Sequence, residues 1–214
     1  MAGLLLDLGP LEVTIARAGL TVTGRTPLRA SHPTLSAASR AVGEHRETMV
    51  ARWLDWLGER VTGTPTASRD LVTEEFRLII DVFAALVGPL RREVRPLWAR
   101  VTHRYGRHAA ARGLAAGEVV EEMQYLRELL IRHLAPAIAA LRPRQGMALL
   151  LRLNRLVDKG VASAVIGYTD AMVATLLPGE DGRSESVPDP TGMLASHAAL
   201  REELETIVQS PGGG

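Results

Sequence analysis

The chain contains no cysteine. That excludes a disulfide framework, a thiolate nucleophile and any cysteine-ligated metal centre, and it fits a cytoplasmic location. An excess of either charge is also lacking. Lys and Arg number 25 against 24 Asp and Glu, for a formal net charge of +1, so the cation surplus behind non-specific nucleic-acid binding is missing. Long apolar runs are missing too. The longest candidate, Leu78 to Leu90, contains Asp81 and falls short of the roughly 20 residues a membrane span needs. The Leu4-Leu5-Leu6 run has no Lys/Arg-rich stretch ahead of it and is interrupted by Asp7, so no secretory signal is expected. No glycine-rich phosphate loop occurs, and Gly212-Gly213-Gly214 reads as a flexible end. At 214 residues the chain can bury a core without disulfides or metal, as one domain with tails.

What is present is mostly helical periodicity. In residues 35–60, Ala38, Val42, His45, Met49, Trp53 and Trp56 share one face. Residues 68–88 align Val72, Phe76, Ile79, Ile80, Phe83, Leu86 and Val87, and stop at Gly88-Pro89. Residues 92–112 carry Val94, Leu97, Trp98, Val101 and Tyr105, with Gly113 as the expected C′ residue. Pro96 is best tolerated in a first turn, which places the expected start near Arg95. The stripe Val119, Met123, Leu126, Leu130 and Leu134 marks a fourth helix running to about Leu141. Its other faces carry Glu118, Glu121, Glu122, Arg127, Glu128 and Arg132, with Pro136 expected to kink or split it. A fifth helix, about 144–177, holds Met147, Leu150, Val157, Val161, Val165, Tyr168, Met172 and Leu176.

The remaining segments divide the chain into parts. Residues 1–34 form an N-terminal extension. Alternation in Leu11-Glu12-Val13-Thr14-Ile15 and Leu20-Thr21-Val22-Thr23 fits a short β-hairpin, and a loosely ordered extension is the other reading. Thr26 to Pro33 reads as a linker, and residues 35–177 as the helical domain. Residues 178–214 are a second linker, Pro178 to Thr191, followed by a short amphipathic helix over about 192–209. The fold class is all-α, a five- to six-helix bundle of globin-like form with the hairpin-like extension in front.

Candidate chemistry is sparse. His103, His108 and His133 invite a metal or haem reading. His103 and His108 are five apart, however, and no His-Glu-x-x-His or Glu-x-x-His spacing occurs. His108 falls on the apolar stripe, where a histidine is usually a hydrogen-bonded core residue. Neither metal nor cofactor is expected on this spacing, and no catalytic residue stands out. Arg91, Arg92, Arg95, Arg100, Arg104, Arg107 and Arg112 make the third helix basic. Its two aromatics, Trp98 and Tyr105, lie on the apolar stripe rather than among the cations. Pairing within the chain, with Glu118, Glu121 and Glu122 as partners, is the favoured reading. His197, in Leu194-Ala195-Ser196-His197-Ala198, resembles a phospho-acceptor box faintly, but Ala198 stands where an acidic residue is usual. An exposed histidine on a short helix is the expectation.

Three segments are similar to the N-terminal helical domain of RsbR-type proteins (the RsbRD group), co-antagonists of the bacterial stress response. They are Trp53-Leu54-Asp55-Trp56-Leu57; Arg112-Gly113-Leu114 with Glu118-Val-Val-Glu-Glu-Met-Gln-Tyr-Leu-Arg-Glu-Leu-Leu130; and Leu153-Asn-Arg-Leu-Val-Asp158-Lys-Gly-Val-Ala-Ser-Ala-Val165. Together they span about residues 37–177. The chain departs from the family in having Ala115 where a serine N-cap is frequent, which shifts the expected helix start toward Gly117. Nor is a STAS, kinase or helix-turn-helix output module, usual in the family, expected within these residues. The resemblance implies a globin-like regulatory domain without haem, often dimeric, forming the input part of a signalling protein. It implies no catalytic residues.

The expectation is therefore a non-enzymatic cytoplasmic signalling domain working by protein–protein contact, as a homodimer, with a downstream kinase or anti-sigma-type regulator as partner. Trp53, Trp56, Tyr168 and Met172 are the candidate interface residues, since aromatics are favoured in interface cores. Two other functions stay open: a histidine phosphotransfer protein using His197, and a helical bundle binding a small ligand between its helices.

Overall fold

The computed structural model describes residues 33–60, 69–176 and 190–210. These form seven helices and no strand: α1 (Pro33–Glu44), α2 (Arg46–Arg60), α3 (Arg69–Val87), α4 (Arg91–Ala111), α5 (Ala116–Ala139), α6 (Pro143–Leu176) and α7 (Pro190–Gln209). The N-terminal hairpin expectation, and most of the linker expected over 178–191, lie outside the described residues. None of the helices is long and apolar enough to cross a membrane.

The core follows the apolar stripes. The central α3 buries Val72, Phe76, Ile79, Ile80, Phe83, Leu86 and Val87. It packs on α1, α2 and α4. From α2, the Trp53 indole stacks on Phe76 with ring centroids 3.8 Å apart, while Phe83 meets Trp98 of α4 edge-on at 5.4 Å. Trp98 Nε1 donates to Leu156 O on α6 at 3.0 Å, so its polar edge is satisfied inside the core.

The most extensive helix pair is α4 with α6, and small residues permit it. A β-carbon at Gly106 would lie 1.8 Å from Ala164 O, and one at Gly167 would lie 1.8 Å from His103 O. The two backbones touch at a separation only glycine allows.

Several boundaries differ from expectation for local reasons. The expected 35–60 helix breaks at His45, although His45 N still donates to Ala41 O (3.2 Å) and Met49 N to His45 O (2.9 Å). The first helix also starts at Pro33, inside the expected linker, with proline at its first position. α4 begins at Arg91 rather than near Arg95, leaving Pro96 inside the helix. α5 begins at Ala116, not Gly117. Glu118 reaches back to accept from Ala115 N at 2.6 Å, half of a capping box, which fixes the start although alanine has no acceptor of its own. Pro136 neither splits nor ends α5, which runs through to Ala139. The proline gives up the one bond its own N–H would have made to Arg132 O, and the turn that follows stays closed, with Ala140 N donating to Pro136 O at 3.1 Å. Gly113 takes φ 82°, the left-handed C′ conformation expected of it.

Candidate functional site

α7 lies against α3 and α4, and it carries a histidine into the interior. His197 is only 6% exposed, contrary to its expected place on an open helix face. The residues it meets were buried by their own stripes. Glu75 sits three residues after Val72 and four before Ile79, on the core face of α3. His108 sits three residues after Tyr105, on the core face of α4. The docking of α7 brings the third member.

His108 Nδ1 lies 2.6 Å from Glu75 Oε1, and Arg104 Nε donates to His108 Nε2 at 3.3 Å. The arginine bond leaves Nε2 as the acceptor nitrogen, so Nδ1 carries the proton and donates it to Glu75. His108 is thus the hydrogen-bonded core residue its stripe implied. His197 Nε2 stands 3.9 Å from Glu75 Oε1, beyond hydrogen-bonding range, and its ring lies edge-on to His108 at 5.8 Å. Neither ring nitrogen of His197 has a hydrogen-bond partner. Burial pushes the Glu75 carboxyl up. His108 outweighs this, by its charge when the ring is protonated and by its hydrogen bond, with His197 and Arg112 assisting, and the carboxyl is held at about 2. Glu75 is therefore a buried carboxylate. One potential ligand atom from each of Glu75, His108 and His197 lies within 4.8 Å of the other two.

A second buried polar cluster adjoins it. Arg112 donates to both oxygens of Glu122, at 3.3 Å from Nη1 and 3.0 Å from Nη2, and the Tyr105 hydroxyl donates to Glu122 Oε2. Glu122 is 1% exposed, which corrects its assignment to a solvated face of α5. Burial, then the charge of Glu75, pushes its carboxyl well above the usual range. Burial lowers the Arg112 guanidinium.

The basic face of α4 pairs within the chain, with α7 as well as with Glu122 of α5. Arg104 donates to Met193 O at 2.7 Å and to Ser196 Oγ, and Arg100 pairs with Glu203. From the other side Arg201 reaches Asp81 and Glu74 of α3, each at 3.4 Å. Of the carboxylates expected to serve α4, Glu122 does so through Arg112.

The other candidate residues are dispersed. His103 Nε2 lies 2.8 Å from Asp170 Oδ2 at the surface, and His133 packs beside His45 at 4.8 Å. The three histidines first considered together are thus in three places. Trp53 is fully buried against Phe76, so it offers no surface for an interface. Trp56 is half-buried and stacked on Tyr125, Tyr168 is half-buried, and Met172 is 38% exposed. An open groove of about 560 Å³ between α4, α6 and α7 is lined by Arg100, His103, Ile166 and Leu200 among others.

Glu75 and Arg104 went unnoticed as site residues, although a lone carboxylate at core spacing between Val72 and Ile79 is a visible signal. Comparison with known proteins adds no relative: no family model, no curated protein and no solved structure matches this chain.

Proposed function

We propose that this chain is a non-catalytic regulatory domain of the sensor type, acting in the bacterial cytoplasm through protein–protein contact. In this reading α7 is the regulated element: docked in one state, released in another, with a partner responding to the difference. The similarity of three segments to RsbR-type domains supports a signalling role, and a haem-free globin-like bundle belongs to the same proposal. A kinase or anti-sigma-type regulator fits as the downstream partner.

The observation that carries the reading is the way α7 is held. Among its described side chains Leu204 is the only buried apolar one, with Met193, Leu200 and Ile207 half-buried, whereas Leu194 and Val208 are exposed. The remaining attachments are polar. Exposed ion pairs such as Arg100–Glu203 contribute about 0–1 kcal/mol each, and a buried histidine without hydrogen bonds opposes docking. A helix attached so lightly can open without unfolding α3–α6. Self-association is part of the proposal, through the exposed apolar residues Met172, Val173 and Leu176 near the end of α6.

Two measurements test it. Analytical ultracentrifugation of the full chain should show a dimer that Met172→Glu with Val173→Glu converts to a folded monomer. Affinity capture with wild-type chain and a Leu204→Asp variant should recover a partner that prefers one form. A wild-type monomer at all concentrations removes the dimer, and equal recovery of every partner by both forms removes the role given to α7.

A further inference from the structure

We propose that Glu75, His108 and His197 bind one divalent transition-metal ion of the zinc class, and that the bound ion clamps α7 to the bundle. The ligand set is one carboxylate and two imidazoles, a combination suited to such ions, with a fourth position left for water. The three come from α3, α4 and α7. A rule based on ligand spacing along one helix does not reach a set assembled this way.

Two independent observations point to the same place. The first is the convergence of three potential donors within 4.8 Å of one another in the interior. The second is His197 itself, more than nine-tenths buried, next to the Glu75 carboxylate, with both ring nitrogens lacking a partner. Buried polar atoms are rarely left unpaired, and one beside a carboxylate and a second imidazole has a natural ligand in a cation.

The fit requires modest movement. A tetrahedral ion with bonds of roughly 2.0–2.2 Å keeps its donors roughly 3.4 Å apart. The present separations are 2.6 Å between His108 and Glu75 and 3.9 Å between His197 and Glu75. Glu75 and His108 must part slightly while His197 closes in, and α7 is the least firmly packed of the three helices. When the ion loads through His108 Nδ1, that nitrogen sheds its proton and Nε2 takes one up, so Arg104 must withdraw from Nε2. Arg104 keeps its bonds to Met193 O and Ser196 Oγ. The loss of its bond to His108 limits affinity and keeps binding reversible. The metal site stands on its own geometry, whereas the clamp rests on the reading of α7 as a releasable helix.

The test uses the full chain stripped with a chelator. Titration with Co²⁺, followed by visible absorption, and with Zn²⁺, followed by calorimetry, should each show one equivalent bound. His197→Ala changes only α7 and should weaken binding by more than about 10–100-fold, the loss typical of removing even an outer partner of a metal ligand. His103→Ala, at the surface, should bind as wild type. Absence of stoichiometric binding, or binding indifferent to His197→Ala, overturns the site. Amide hydrogen exchange of α7 then separates the two ideas. Slower exchange on adding Zn²⁺, lost in His197→Ala, supports the clamp. Binding of one ion with unchanged exchange overturns the clamp while the site stands. Fast opening of α7 with no bound metal overturns the site and leaves the releasable helix intact.

Discussion

Individual side chains set unequal stakes. Glu122 and Glu128 both belong to α5 and both face an arginine, but Glu122 is buried against Arg112 and Tyr105 whereas Glu128 pairs with Arg132 in solvent. Removing one member of a buried pair leaves the other charge desolvated and unpaired. Glu122→Ala is therefore expected to destabilise the fold by roughly 3–5 kcal/mol, and Glu128→Ala by less than about 0.5 kcal/mol. Urea denaturation of both variants checks the ranking, and equal losses would mean that the burial of Glu122 has little energetic consequence. Glu75 adds a pH dependence to the metal-free protein. Its carboxyl is lowered from 4.5 to about 2 in the fold, so the folded state binds its proton less readily than the unfolded state. That stabilisation is complete above pH 4.5 and is lost as pH falls from there toward about 2. Measured against Glu75→Gln, wild-type stability should lead on the order of 3 kcal/mol at pH 7 and lose most of that lead by about pH 2. A constant difference across the range would show that His108, His197 and Arg112 do not hold Glu75 ionised.

Among the helices, the α4–α6 crossing is the most sensitive to added volume. At Gly167 a β-carbon would meet backbone at 1.8 Å, while at Gly58 of α2 nothing lies within 4 Å. The same substitution should therefore act with opposite signs. Gly167→Ala forces two helices apart and is expected to cost roughly 3 kcal/mol. Gly58→Ala lies in an open helical position and should stabilise by about 0.5–1 kcal/mol through backbone entropy. Thermal melts of the two variants decide it, and a stable Gly167→Ala protein would show that the crossing can relax. Gly160, Ala164 and Gly167 recur on α6 at spacings of four and three, so they share one face. Gly160 makes room for the Trp98 ring, which a β-carbon there would approach to 2.5 Å.

At the scale of the molecule, the proposed function rests on α7, packed on α3 and α4, opening apart from the α1–α6 body. Hydrogen exchange under native conditions should show α7 amides exchanging through local opening, well before the amides of α3, α4 and α5, which need global unfolding. Leu204→Asp should raise α7 exchange to the rate of an open helix and leave the melting of the body nearly unchanged. Cooperative loss of both would make α7 part of the folding unit and remove the switching role proposed for it.

The sequence by itself determined that the chain is helical and where most of its helices lie, though not the break at His45. Apolar residues repeating at three and four positions define stripes over α3, α4, α5 and α6, and Gly88-Pro89 and Gly113 punctuate them, because these are local effects of periodicity and backbone freedom. The candidate site was half legible. His108 on the stripe of α4 and Glu75 on the stripe of α3 are both readable as interior polar residues, and an interior carboxylate needs a partner. Which partner it finds depends on residues far apart in the chain. The burial of Glu122 depends on Tyr105 of α4 and on Arg112 at that helix's C-cap, and the burial of His197 on α7 folding back over α3 and α4. Likewise Trp53 and Trp56, three residues apart, differ because one faces Phe76 in the core and the other Tyr125 at its edge. Helix formation is settled by neighbours in sequence, but burial of a charge or a ring is settled by the surface that a distant helix brings to it.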